Sequence, residues 1–294
     1  MSEVIKVGMA DLNVCKAPDV ITTLGLGSCI GLVFYDPVSK VGGMVHYMLP
    51  DSTKVRNNRN IAKFADTGID ELLRRVIAAG ANKIVLDVTC GSGAFMKTVG
   101  EARELSKTMI DIGKLANKET VCIITNMDQP LGTMVGNTLE VIEAIEALKG
   151  NMQEDVKNVV LELGAYILKL DGKGNDVEEN KKAIEEVIAN GKAYKKFLEL
   201  VANQGGDISY IEDTEKFEKA KYKLPVIAEK SGYVKSLNAE EVGKIAMHLG
   251  AGRLRKEDDI DYSVGVELVK KVGDYIEEKE TIAYIYANNQ EKGK

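Results

Sequence analysis

The stretch that most restricts the fold runs from residue 83 to residue 126. "KIVLDV" is a short apolar run of the kind that fills a buried strand. The glycine turn "TCGSGAF" follows it, then a segment with helical spacing from about Gly100 to Ala116, then a second strand, "TVCIITN", at 120–126. Strand, helix and strand in that order imply a parallel sheet with the helix as crossover. The expected fold class is therefore α/β. With hydrophobic residues at 45% of 294, a sizeable core can be buried around it.

The flanks have different periods. Residues 134–203 read as nearly all helical, in segments around "LEVIEAIEALKG", "VKNVVLELGAYILKL", "KKAIEEVIANG" and "AYKKFLELVAN", broken by Gly and Asn. From about residue 221 the pattern becomes β-rich. "LPVIAEKSGYVKSL" predicts two strands with a turn at Ser231-Gly232, "AEEVGKIAMHLG" a short helix, and "YSVGVELVKKVGD" and "ETIAYIYAN" further strands. Upstream, "VIKVGMA" alternates. "CIGLVFYD" and "VGGMVHYML" are strand-like, and "DPVSK" between them predicts a hairpin. Phe64, Ile69, Leu72, Leu73, Val76 and Ile77 recur at helical spacing until Gly80. The expected organisation is a hairpin-rich segment at 1–80, a parallel α/β segment with helices at 81–220, and a small β-rich module at 221–294.

Composition excludes several functions. The net charge of −6 argues against general nucleic-acid binding. No apolar run reaches the ~18 residues of a membrane span, and the N-terminus has no basic region followed by an apolar core, so neither membrane insertion nor a signal peptide is expected. Cys15, Cys29, Cys90 and Cys122 are scattered without a CxxC pair. That spacing fits neither a zinc site nor a disulfide framework, and it fits a reducing cytoplasm.

Two places could carry chemistry. In "TTLGLGSCIGLVFYDPVSKVGGMVHYMLPDS", Cys29 opens one strand of the predicted hairpin, and His46 lies in the other. A thiol becomes a nucleophile when a histidine takes its proton and a third group orients the imidazole; Thr23 is nearby for that role. By spacing alone the signal is weak, and the pair reads first as a core thiol beside a strand histidine. The second place is "CGSGAF", a strand-to-helix turn of the kind that can bind phosphate. It lacks the Lys-Ser/Thr of a P-loop and the third glycine of a dinucleotide fingerprint, so close packing is the simpler reason for its glycines. Cys90 and Cys122 read as core thiols, Cys15 as structural, His248 as packing or surface, and "KEDDID" as a solvated turn.

The string from about residue 4 to 80, including "VGMADLNVCKAPDVITTLGLGSCIGLVFYDPVSKVGGMVHYMLPDS" and "KFADTGIDELLRRVIAAGA", resembles the N-terminal half of the chemotaxis protein CheD, a family of chemoreceptor glutamine deamidases. The resemblance implies Cys29, His46 and Thr23 as the catalytic set. It also implies methyl-accepting chemoreceptors and a CheD-binding chemotaxis phosphatase as partners, and hydrolysis of a receptor glutamine amide with release of ammonia.

The string from about 77 to 290 is similar to a different family. "IVLDVTCGSGAFMKTVGEARELSKTMIDIGKLANKETVCIITNMDQPLGTMVGNTLEVIEAIEALKG", "NQGGD", "AEKSGYV" and "LGAGRLRKEDDIDYSVGVELVKKVGD" resemble pyrimidine-nucleoside phosphorylase and thymidine phosphorylase. That family cleaves a pyrimidine nucleoside with phosphate to give a sugar 1-phosphate. The resemblance implies a substrate-binding role for Phe95, as a wall against the pyrimidine, and for Arg75, at the family's base-gripping lysine position, with Glu71 roughly at its serine position. The family's Lys-His-Ser-Thr-Gly-Gly phosphate segment has no counterpart in these 294 residues, so no phosphate-binding residue is assigned. A potassium ion is a further implication with no residues attached, and no other cofactor is expected. The family dimerises through a helical domain that also has no counterpart here, so that mode of homodimer is not expected. Three functional readings follow: a cysteine-dependent protein-glutamine deamidase on its intact catalytic set, a pyrimidine-nucleoside phosphorylase relative on coverage, or an inactive hybrid or binding module.

Overall fold

The computed structural model describes residues 4–7, 11–16, 20–23, 30–36, 41–47, 71, 82–253, 255 and 258–293. It is a mixed α/β chain with parallel and antiparallel sheets, and it divides into two compact units. One comprises 1–88, 100–124 and 162–181, and the other 89–99, 125–161 and 182–294.

In the first unit, β1 (Val4–Val7) pairs in parallel with β3 (Val20–Thr23). Strands β2 (Asp11–Lys16), β4 (Ile30–Asp36) and β5 (Val41–Tyr47) form an antiparallel sheet in the order β2-β5-β4. Asp36 lies opposite Val41, so the hairpin expected from "DPVSK" forms. The helix expected over 61–80 lies outside the described residues, apart from Glu71.

β6 (Lys83–Cys90), α1 (Val99–Leu115) and β7 (Glu119–Asn126) follow the predicted order. The Glu119 amide donates to Asn82 O and the Met127 amide to Cys90 O. The partner numbers rise together, so β6 and β7 run parallel. On β6, Ile84, Leu86, Val88 and Cys90 are buried at every second position, as one pleat face requires. α1 buries Ala102, Ser106, Met109 and Gly113, one stripe at helical spacing. A Cβ on Gly113 would stand 2.1 Å from Thr120 Oγ1, so only glycine lets helix and strand approach this closely. Along the same seam the Cys122 thiol donates to Ser106 O (3.6 Å). The hydroxyls of Ser106 and Thr120 are buried without a hydrogen-bond partner among the described residues.

The helical stretch resolves into α2 (Asn137–Leu148), α3 (Glu154–Leu170), α4 (Val177–Ala189) and α5 (Lys192–Asn203). Gly150 and Gly191, both in left-handed conformation, stop α2 and α4. In the second unit Tyr194 of α5 donates to Ile211 O in α6 (Ser209–Glu212) (3.2 Å).

The C-terminal region builds a four-stranded sheet, β8-β11-β13-β9, from β8 (Met134–Val135), β9 (Tyr222–Ile227), β11 (Gly265–Leu268) and β13 (Thr281–Ala287). β8 is the surprise. Helical pattern starts at 134 in the sequence, yet Val135 pairs with Val266. The segment read as two strands about Ser231-Gly232 also differs, because Gly232 lies inside β10 (Gly232–Tyr233), which pairs with β12 (Tyr275–Ile276). The reason is non-local. Ala228 exchanges backbone bonds with the 279–280 turn, and Ser231 Oγ accepts from the Glu278 amide. Val264, Val266 and Leu268 pack with Val242, Ala246 and Leu249 from α7 (Ala239–Ala246) and the π turn after it to make this module's core.

Candidate functional site

Cys29 and Arg75 lie outside the described residues, as do the side chains of Thr23 and His46. By backbone, Thr23 ends β3, and His46 in β5 is in register with Gly31 on one side and Asp11 on the other. Among the sequence-derived site residues, Phe95 is placed fully, half-buried in the turn between β6 and α1.

That turn is built from the backbone outward. Gly91 has φ +120°, a region an L side chain rarely enters, and a Cβ there would lie 2.6 Å from the Asp128 amide nitrogen. The Gly91 amide donates to Met96 O (2.9 Å), Gly93 to Met127 O (2.9 Å) and Ala94 to Gly91 O (3.1 Å). The Ser92 amide donates to Asp128 Oδ1 (3.0 Å). Four consecutive amides are thus committed inside the protein, leaving none of them to cradle a phosphate without breaking the turn. The glycines serve close approach, as expected, but the partners are Asp128 and Ala239.

A second loop, 128–133, backs the first. Asn126 Oδ1 accepts from the Asp128 amide. Pro130 O and Gly132 O both accept from Lys271 Nζ (2.6 Å each), which also reaches Asp155 Oδ2 (2.5 Å). The Gly132 amide donates to the same Asp155 oxygen (3.1 Å). Burial opposes the Asp155 charge. The Lys271 ammonium outweighs it, with the amides of Val156 and Gly132, and holds the carboxyl below its ordinary value. Glu143 closes the loop's far end, accepting from the Thr133 amide (2.7 Å) and hydroxyl (2.8 Å). Sequence reasoning missed both clasps, since no short pattern pairs Lys271 with Asp155, far away in the chain, or Glu143 with the Thr133 loop.

Among the described residues no cluster of three or more His, Cys, Asp or Glu could hold a metal ion. The carbonyl-lined cage around Lys271 is filled by the protein's own ammonium, so it offers no place for the potassium ion implied by resemblance. Cys122 is no nucleophile at neutral pH, because burial pushes its thiol up to about 11. No helix among the described residues is long and apolar enough to cross a membrane.

Residues 68–194 match the family model of the glycosyl transferase family, a/b domain, and residues 233–294 match the pyrimidine nucleoside phosphorylase C-terminal domain. Over 219 residues the chain is 47% identical to a pyrimidine-nucleoside phosphorylase of Bacillus subtilis (strain 168), covering 74% of this chain and 51% of the relative. A pyrimidine-nucleoside phosphorylase of Staphylococcus aureus (strain USA300) is 45% identical over 220 residues, covering 75% and 51%. The chain spans about half the length of these relatives, and it carries pyrimidine nucleoside phosphorylase-like domains. These matches correct the deamidase reading, and with it the chemotaxis partners, chemoreceptors and a CheD-binding phosphatase. That reading set a short string of catalytic residue types above a likeness covering three quarters of the chain. A cysteine and a histidine in neighbouring strands are common in ordinary cores.

Proposed function

We propose that this chain is a pyrimidine-nucleoside phosphorylase-type glycosyltransferase segment whose described domains supply the pyrimidine-facing side of the reaction. The segment at 81–220 would carry the base wall, and the module at 221–294 would brace it. The reaction class is phosphorolysis. A phosphate oxygen bonds to C1′ of the sugar as the C1′–N1 bond breaks, and the bond's electron pair leaves with the base. Phe95 would pack on the pyrimidine face, and Arg75 would offer its guanidinium to a base carbonyl. The observation that carries the reading is the 45–47% identity to pyrimidine-nucleoside phosphorylases over about three quarters of the chain, with family models matching 68–194 and 233–294.

The turn's amides are already bonded within the protein, which supports phosphate binding by residues other than this turn. The 294 residues alone are therefore expected to bind uridine without cleaving it. Calorimetric titration with uridine tests this. Phe95→Ala should weaken binding by on the order of tenfold, the weight of one stacking contact. No uridine binding at millimolar concentration, or equal binding by wild type and Phe95→Ala, would sink the reading. Release of uracil in phosphate buffer would instead show that a phosphate cradle has been overlooked.

A further inference from the structure

We infer that Ser92 is a positioning residue, through which the C-terminal module sets the geometry of the turn carrying Phe95. The inference rests on the nucleoside reading for its substrate, but on geometry alone for the coupling. Every polar group of Ser92 is engaged. Its amide donates to Asp128 Oδ1 (3.0 Å) and its hydroxyl to Asp128 O (2.7 Å). The same hydroxyl accepts from the Ala239 amide (3.1 Å), and its carbonyl accepts from Lys97 Nζ (2.8 Å). Ala239 is the first residue of α7, so its amide has no intrahelical acceptor and must find one outside. Asp128 O takes the same amide (3.1 Å), so one donor is shared between both loops. Lys97 extends the link, pairing with Glu240 one residue further along α7 (3.1 Å).

The packing agrees with the bonding. A Cβ on Gly93 would lie 2.7 Å from Ala239 Cβ, so the helix start presses directly on the turn. Three residues beyond Ser92 stands Phe95. A change in how α7 seats therefore reaches Phe95 through one hydroxyl and a short backbone segment whose amides at 91–94 are all bonded. The module acts as a brace that fixes the base wall before substrate arrives, which is how binding geometry is made ready in advance.

Hydrogen exchange on the 294-residue chain reads the coupling directly. In Ser92→Ala, exchange should rise on the order of three- to tenfold at Ala239 as well as across 91–96, the weight of one lost hydrogen bond. Asn238→Ala is the control. It removes the cap that accepts from the Glu241 amide (3.1 Å) and should speed exchange at Glu241 while leaving 91–96 protected. Unchanged exchange at Ala239 in Ser92→Ala overturns the inference. So does loosening across 91–96 in the control without faster exchange at Ala239, which would mean generic softening. Uridine titration adds a readout that a merely structural role would not move. Ser92→Ala should bind on the order of threefold more weakly, measured well below its melting transition. If neither protein binds uridine, the nucleoside reading fails, and exchange at Ala239 still decides the coupling.

Discussion

The Gly91–Met96 turn and the seam between α1 and β7 both depend on a glycine to bring backbone and neighbour together, yet they treat polar atoms in opposite ways. In the turn, four successive amides and the Ser92 hydroxyl all have partners. In the seam, the Ser106 and Thr120 hydroxyls are buried without one among the described residues. A satisfied polar network fixes one geometry, because each displaced atom loses a bond. A seam held by close packing tolerates unpaired hydroxyls at a cost of about 1–3 kcal/mol each. The turn is built for placement and the seam for burial.

Gly91→Ala should break the turn side of this contrast hardest. It forces a side chain into φ +120° against the Asp128 amide, and the expected loss is about 3 kcal/mol in urea unfolding. A loss below about 1 kcal/mol would mean the turn can move aside, which a fully bonded loop cannot do cheaply. Lys271→Met comes next. It orphans two carbonyls and leaves the Asp155 carboxylate with only the Gly132 and Val156 amides, with an expected loss of about 2 kcal/mol. The same variant bears on pH. The folded Asp155 carboxyl lies below its ordinary value, so its stabilisation is complete above that value and is lost as pH falls through the folded one. Lys271→Met should therefore flatten the acid limb of a stability–pH curve, and an unchanged limb would remove the pair from the account.

The seam predicts gains where the turn predicts losses. Thr120→Val keeps the shape and removes an unpartnered hydroxyl, so it should stabilise by about 1 kcal/mol. A clear loss in the melting curve would show that the hydroxyl has a partner. The smallest effect is kinetic. With its thiol at about 11, Cys122 should resist iodoacetamide at pH 8 in the native chain and react on unfolding. Rapid native labelling would show that the seam opens readily.

Periodicity made the β6–α1–β7 unit legible, because burial on alternate strand residues and on one helix stripe leaves its mark in consecutive residues. Pairing partners left no such mark. β8 hides in the approach to a helix, and β10 finds β12 rather than its sequence neighbour, because those choices depend on residues far along the chain. The site divides the same way. Phe95 was readable through resemblance, whereas Ser92, Asp128 and Lys271 act through contacts that no short motif encodes. Around Cys29 a vivid local pattern outweighed a longer and plainer one, and the relatives' identity reversed that order.

The two-residue strand β8 has a consequence for how the chain is made. Its partner Val266 leaves the ribosome roughly 130 residues later, so at about 5–20 residues per second Val135 waits on the order of ten seconds for it. During that interval the apolar Met134–Val135 edge has no sheet to join. Chaperone dependence in the cell should therefore fall on this first half-built sheet rather than on the α1 crossover, which completes within a few dozen residues of synthesis.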